Sequence, residues 1–403
     1  MIICLNSLKK AIFGDCIPLI LLYLGNRICV MIKRALQKTL ESKVDFKKAI
    51  VILGPRQVGK TTLITKIAAS LNENYLYING DDPATRTAWN NPTQAFINNY
   101  IGSYKVVVFD EAQRLENIGL SAKMIIDAKK DIQLFISGSS ALEIASKINE
   151  PLTGRKWEYR LYPLSWRELK DQYSFAKVHS RLEEFLITGM YPDVINNPDS
   201  AIETLNNLAG SYLYKDILES GGIRRPEALL KLLQALAWQV GNEVSYNELA
   251  RIVGIDKATV NNYIDLLEKS FVIFRLNPLA RNLRNEISTS RKIYFYDNGI
   301  RNSIINNFAP IAQRNDIGAL WENFIISERK KNLAYTGFYG NTYFWRTVDK
   351  AEIDYLEEQD NKLSAFELKW NSKVKVKFPT SFMEKYSPET SSAINRDNYW
   401  EFL

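Results

Sequence analysis

Apolar residues along this chain follow two alternating patterns. Uninterrupted runs rich in β-branched and aliphatic residues occur at 49–53 (AIVIL), 106–109 (VVVF) and 134–136 (LFI), as expected of strands buried on both faces of a parallel sheet. Less pure runs at 75–78 (YLYI) and 157–161 (WEYRL) predict further strands. Between them apolar residues recur three or four apart, as in Leu63, Ile64, Ile67 and Ala68, which predicts helices. Residues 31–165 therefore read as one α/β lobe. Over 166–240 helical spacing dominates, in 181–187, 201–218 and 227–240, broken at Gly189 and at Gly221-Gly222, and predicts a helical lid. Residues 245–270 read as helix, turn at Gly254 and second helix, with a strand at 271–276, so that 241–300 has the outline of a winged helix. A helix at 320–325 and strands at 352–356 and 365–370 predict a second α/β domain over 301–403.

One apolar stretch stands apart. Residues 11–25 (AIFGDCIPLILLYLG) are interrupted by Asp15 and Pro18, at about half the roughly 20 residues a spanning helix needs. Lys9 and Lys10 in front resemble the start of a signal peptide, yet no small-residue cleavage site follows. The helical pattern begins only after Met31, so residues 1–30 read as an N-terminal extension, optional or not native to the folded protein. No membrane association is expected.

Composition narrows the chemistry. The chain has 403 residues with 52 Lys and Arg against 45 Asp and Glu, a mild basic excess that permits a nucleic-acid partner without demanding one. His179 is the sole histidine, which removes histidine zinc sites and Ser-His-Asp triads. Cys4, Cys16 and Cys29 all precede residue 30, so no disulfide framework holds the rest, and a cytoplasmic location is expected.

The run at 49–53 leads into Gly54-Pro55-Arg56-Gln57-Val58-Gly59-Lys60-Thr61-Thr62, the G-x-x-x-x-G-K-[ST] phosphate loop between strand and helix. Glycines let backbone N–H groups turn around phosphate, Lys60 reaches the β and γ oxygens, and Thr61 offers a hydroxyl to Mg²⁺. The run at 106–109 ends in Asp110 and Glu111. Asp110 suits the metal, and Glu111, one residue beyond, suits orientation of the attacking water. The strand at 75–78 between these two is a feature of ATPases with an added catalytic glutamate, and no N-K-x-D guanine-reading motif follows. Ser139, after the strand at 133–138, is placed either to position the water or to cap the next helix. Arg155 reads as an arginine finger, acting within its own subunit or on a neighbour, or as a solvated loop residue.

In this order GPRQVGKTTL, VVVFDEAQ, FISGSSA, LTGRKWEYRLYPLSWREL and GMYPDV resemble a large group of bacterial and archaeal AAA-like ATPases whose C-terminal half is a domain of uncharacterised function. The resemblance spans nearly all of residues 31–403. It implies that Lys60, Thr61, Asp110 and Glu111 serve the nucleotide, that Ser139 is a sensor, and that Arg155 belongs to a recurring Gly-Arg pair. ATP and Mg²⁺ are the implied cofactors.

Two further constellations lie downstream. Residues 275–301 hold Arg275, Arg281, Arg284, Arg291, Lys292 and Arg301 against Glu286 and Asp297, a basic wing able to meet duplex DNA. The second helix before it, with Asn261 and Asn262, carries a net negative charge, which suits a protein scaffold better than a groove reader. Glu322 on a helix, Asp354 on a strand and Glu367 with Lys369 two apart on one strand face then resemble the PD-(D/E)XK nucleases. The resemblance implies a second metal site on Glu322, Asp354 and Glu367, with Lys369 steadying the nucleophile. The expected fold class is thus α/β: a RecA/AAA-like P-loop NTPase core, helical lid, winged helix and C-terminal restriction-endonuclease-like domain. Two functions compete. One is an ATP-gated nucleic-acid enzyme; the other is a signalling or defence switch that binds a protein partner, its C-terminal fold without catalysis. The oligomeric state is open.

Overall fold

A computed structural model describes residues 22–23, 28–29, 31–71, 74–128, 131–139, 144, 147–213, 223, 225–279, 291–347 and 350–403. The chain forms two compact units, Met1–Lys33 and Arg34–Leu403. In the first, Leu22–Tyr23 pairs antiparallel with Ile28–Cys29, and the remainder of the apolar stretch 11–25 lies outside the described residues.

The second unit opens with helix α1 (Leu36–Glu41) and contains a five-stranded parallel sheet built from β1 (Ala49–Leu53), β2 (Tyr75–Asn79), β3 (Val106–Asp110), β4 (Gln133–Gly138) and β5 (Lys156–Arg160), in the order β2-β3-β4-β1-β5. Strands β1, β3 and β4 are buried along their whole length, whereas β2 and β5 at the edges are only partly covered. This accounts for the pure apolar runs of the first three and the mixed runs of the other two. The strand that intervenes between β1 and β3 in the sequence is an edge strand in space; β4 is the one that separates them. All five strands point the same way, so Gly54, Glu111, Ser139 and Leu161 emerge at one edge, where ligands of open parallel sheets bind. Helix α2 (Lys60–Ser70) starts there.

Helices dominate from α3 (Trp166–Tyr173) to α4 (Pro226–Trp238). The expected helix at 201–218 is α-helical over Ala201–Asn207 and widens into a π turn over Leu208–Leu213, and residues 214–222 lie outside the described set. His179 stacks between the rings of Phe175 and Tyr399 and bonds the Tyr399 hydroxyl. It belongs to a partly exposed aromatic cluster.

The remaining strands form one seven-stranded mixed sheet: β6 (Glu243–Val244), β7 (Ile273–Pro278), β8 (Arg291–Phe295), β9 (Asn341–Arg346), β10 (Glu352–Gln359), β11 (Lys362–Leu368) and β12 (Thr390–Ile394), ordered β12-β11-β10-β9-β7-β8-β6. Helices α5 (Tyr246–Val253) and α6 (Lys257–Lys269) precede β7. The parallel pairing of Tyr343 with Asn277 and of Phe344 with Pro278 carries this sheet across residue 300, so the two segments separated there in the sequence share one sheet. Helix α7 (Asn298–Ile304) follows β8, and the twenty-residue α8 (Ile317–Thr336) runs back to the first lobe. There Glu328 accepts from the Trp166 backbone N–H and Lys331 donates to the Leu164 carbonyl. No helix among the described residues is long and apolar enough to cross a membrane.

Candidate functional site

The phosphate loop joins β1 to α2. Its path needs left-handed backbone at Gln57 and Gly59. Gly54 is required for another reason: a Cβ there would lie 2.0 Å from the Leu161 carbonyl oxygen. Gly59 caps α2 without a side-chain bond, leaving the first N–H groups and the positive end of an eleven-residue helix turned to the loop, as anion binding requires. Lys60 is 5% exposed and donates from Nζ to the Gly54 and Pro55 carbonyls at 2.9 and 2.8 Å. Its ammonium is thus held over the loop.

Asp110 is placed by three hydroxyls. Thr61 Oγ1 donates to Oδ2 at 2.8 Å, Tyr77 Oη donates to the same oxygen at 2.5 Å, and Ser137 Oγ donates to Oδ1. Burial and the bond to Asp110 hold the Tyr77 phenol well above its ordinary range, so it remains a donor. Hydroxyl and carboxylate oxygens meeting at the foot of the loop form a hard-oxygen set that fits Mg²⁺ beside phosphates. Glu111 follows in left-handed backbone (φ 47°), a costly conformation for a residue with a Cβ and a frequent mark of functional sites. Its Oε2 accepts from Gln113 Nε2 at 2.6 Å, and the same amide donates to Ser139 Oγ at 3.0 Å. Ser139 Oγ lies 3.5 Å from Glu111 Oε2. Gly138 makes room for this amide, since a Cβ there would lie 2.6 Å from Gln113 Oε1. Lys60, Thr61, Asp110, Glu111 and Ser139 thus gather at one sheet edge, while Thr62 points outward on α2.

Arg155 does not join them. Its carbonyl accepts from Ala49 N–H at the start of β1, and its guanidinium pairs with Asp127 at 2.8 Å, both side chains well exposed. That is the opposite end of the sheet, roughly 16 Å along the strand from the loop at about 3.3 Å per residue. Arg155 therefore cannot act as a finger within its own subunit. An arginine outside the loop that does reach it is Arg34, which the sequence did not single out. It is buried, and it donates to the Val58 carbonyl within the loop, to the Tyr162 carbonyl at 2.7 Å and to Glu168 at 2.9 Å. The Tyr335 hydroxyl of α8 lies 3.5 Å away.

The C-terminal constellation also assembles, with different partners from those expected. Lys369 Nζ lies 2.9 Å from Asp354 and 2.7 Å from Glu367. Glu322 is bound instead by Lys292 at 3.0 Å and by the Tyr294 hydroxyl at 2.6 Å, and Lys292 also pairs with Glu352 at 2.5 Å. Among the described residues no group of three or more acids is disposed to hold a metal ion. On the expected second metal site of Glu322, Asp354 and Glu367, positive charge is supplied by Lys292, which is buried, and by Lys369, which is partly exposed. Lysine contacts hold the Asp354 carboxyl below its ordinary value, whereas burial, then repulsion by Asp354, pushes Glu367 up to about 7. Glu367 in the fold thus holds its proton more tightly than at the ordinary 4.5. The stability this contributes is full below about 4.5 and lost as pH rises through about 7. Glu367→Gln, which cannot ionise, should gain on the parent chain by on the order of 1 to 3 kcal/mol between pH 5 and pH 8 in urea melts. A pH-independent difference would contradict this.

Of the six cations of the basic wing, three pair with acids of the protein itself. Arg275 is taken by Asp265 and Glu268 at 2.7 and 2.5 Å, Lys292 by Glu322 and Glu352, and Arg301 is buried against Asp316 at 2.6 Å. These cations neutralise the protein's own carboxylates. Arg291 also has a partner, and Arg281 and Arg284 lie outside the described residues. On α6, Asn261 bonds Asp265.

Comparison with known proteins agrees with the geometry of the first lobe. Residues 46–170 match the AAA domain family, residues 179–310 a domain of unknown function (DUF8612) and residues 317–398 another (DUF4143). An uncharacterized protein of Mycobacterium tuberculosis is 28% identical over 351 residues, covering 85% of this chain and 75% of the relative. One from Methanocaldococcus jannaschii is 26% identical over 376 residues, covering 88% and 80%. Similar solved structures include the Thermotoga maritima RuvB Holliday junction branch migration motor (19% identity, 60% of this chain and 86% of that one, TM-score 0.27). A signal transduction ATPase with numerous domains from Pyrococcus horikoshii is 13% identical over 77% of this chain and 46% of that one, with TM-score 0.30. The AAA domain match takes in the phosphate loop, Asp110, Glu111 and Ser139.

Proposed function

We propose that this chain binds and hydrolyses ATP with Mg²⁺ and that the loop's nucleotide state is passed to the C-terminal sheet, which acts as an interaction module and not as a metal-dependent nuclease. The observation that carries the reading is the placement of Glu111, next to the Asp110–Thr61 pair, at the mouth of the phosphate loop. Loop N–H groups and Lys60 hold the β and γ phosphates, and Thr61 and Asp110 hold the metal. Mg²⁺, when bound, offsets charge on the phosphate oxygens. Glu111 orients a water and draws its proton as the oxygen attacks the γ-phosphorus, releasing phosphate and ADP, while Ser139 and Gln113 fix that carboxylate and the water. Helix α8 is the connection to the second sheet, with Tyr335 beside Arg34 at one end and Glu322 among the lysines at the other, about 20 Å away.

The order α4-β6-α5-α6-β7-β8 is that of a winged helix, which we read as scaffold because Arg275 pairs with Asp265 and Glu268 and Arg301 is buried against Asp316. The sheet β9–β12 with α8 we read as a restriction-endonuclease-like fold without metal chemistry, because Lys292 and Lys369 already pair with its carboxylates. One melting experiment tests both halves. MgATP at about a hundred times its Kd should stabilise the parent chain by about 2.7 kcal/mol and leave Lys60→Ala unmoved. In the Lys60→Ala background, Mg²⁺ or Mn²⁺ alone should shift the melting temperature no more than in Lys60→Ala with Glu367→Ala. A larger metal shift when Glu367 is present would restore the nuclease-type site, and equal MgATP shifts in parent and Lys60→Ala would remove the nucleotide assignment.

A further inference from the structure

Helix α8 carries five charged side chains, and four of them are paired: Glu322 with Lys292, Glu328 with Lys331, and Arg329 with Glu357 at 2.7 Å. The exception is Lys330. Its ammonium lies 4.8 Å from the centre of the Phe274 ring, and among the described residues it has neither a carboxylate nor a hydrogen-bond acceptor. Burial holds it below the ordinary lysine value, opposed by the charge of Glu268 and aided to a lesser degree by Arg160. The oxygens of Glu268 are already committed to the Arg275 backbone N–H and guanidinium. A partly buried cation without an acceptor is costly in a fold that satisfies its neighbours.

Lys330 lines a cavity of about 330 Å³ between β5, α8 and the second sheet, a size typical of small-molecule pockets. Arg160 stands at its rim as a second cation. Glu158, also at the rim, is neutralised by Lys156 at 2.5 Å. The remaining wall includes Leu276, Ile326, Leu333 and Phe338. The cavity therefore combines an unbalanced positive end with an apolar body.

We infer that this cavity binds a small amphipathic anion, its phosphate or carboxylate head between Lys330 and Arg160 and its apolar body against Leu276, Ile326, Leu333 and Phe338. The site is separate from the phosphate loop. It is close enough to communicate with it, because Arg160 precedes Leu161, whose carbonyl abuts Gly54, and the wall residue Leu36 lies two positions after Arg34.

Isothermal titration of the full chain tests the inference, using phenyl phosphate, phenylacetate and inorganic phosphate as probes. Lys60→Ala serves as the background, so that the phosphate loop does not compete for the phosphates. One aromatic anion should bind at one site per chain with a Kd of about 1 mM or below. Whichever of phenyl phosphate and phenylacetate binds more tightly identifies the head group. Lys330→Met should weaken that binding by at least about tenfold, which is about 1.4 kcal/mol. Ala334→Phe, which fills the cavity from its exposed wall and keeps Lys330, should weaken it similarly and guards against misfolding of the first variant. Three results would each overturn the inference: no saturable binding of either aromatic probe up to about 10 mM, affinity unchanged in both variants, or inorganic phosphate binding as tightly as phenyl phosphate.

Discussion

Glu111→Gln should bind MgATP as tightly as the parent chain and hydrolyse it at least about a hundredfold more slowly. The two effects separate because the residues separate. Phosphate contact belongs to the loop and Lys60, whereas Glu111 projects from the end of β3 and its carboxylate, among the described residues, bonds Gln113 and, more distantly, Ser139. Glutamine keeps the length and the left-handed backbone at position 111 but has no negative oxygen to take a proton from water. The parent chain should release labelled phosphate from bound ATP, and the variant should retain intact ATP through gel filtration. Undiminished turnover in Glu111→Gln would transfer the role of base to another group, and loss of ATP binding would show that the side chain contacts phosphate. Gln113→Ala should show a weaker form of the same defect, since it frees Glu111 from its 2.6 Å tether without removing the carboxylate.

The largest stability loss is expected at a residue outside the recognised motifs in sequence. Arg34→Ala removes the guanidinium from between the Val58 and Tyr162 carbonyls and leaves Glu168, 3% exposed, without its cation. Breaking a buried pair from one side costs about 3 to 5 kcal/mol, because the remaining charge is stranded. Backbone N–H groups of Ala35 and Ser165 still serve Glu168 and keep the loss from being larger. Arg34→Lys should recover only part of it, since one ammonium cannot reproduce the fork that spans two carbonyls and a carboxylate. Arg155→Ala is the control: its pair with Asp127 is exposed, and its removal should change stability by no more than about 0.5 kcal/mol. Urea unfolding of the three variants side by side checks the ranking. Equal losses at Arg34 and Arg155 would contradict it.

What could be read from the chain alone follows from the range of the interactions. The phosphate loop is local: Gly54, Gly59, Lys60 and Thr61 act through backbone turns and one helix end that eight consecutive residues define. Pure apolar runs marked β1, β3 and β4 because burial on both faces leaves no alternation to misread. Tyr77, Ser137 and Gln113 escaped notice because their partners sit on other strands or beyond a turn, and sequence order does not reveal that β4 lies between β1 and β3. Arg34 lies 24 residues before Val58 and looked like any polar residue of an amphipathic helix. Counting charges over the wing treats every lysine and arginine as exposed and so does not anticipate the inward pairs of Lys292 and Arg301. A signal was present there: Lys292 and Tyr294, two apart on β8, share one strand face, and both contact Glu322. The same period of two did place Glu367 and Lys369 correctly together.

The decisive measurement is phosphate release from γ-labelled ATP by the purified full chain, with Mg²⁺ and with EDTA, beside Lys60→Ala. Hydrolysis at this loop predicts phosphate production by the parent chain only when Mg²⁺ is present, and none above background from Lys60→Ala. Production that persists in EDTA or in Lys60→Ala, or a parent chain that binds MgATP and releases no phosphate over many hours, would contradict the assignment of Lys60, Thr61, Asp110 and Glu111 as an ATP-hydrolysing site.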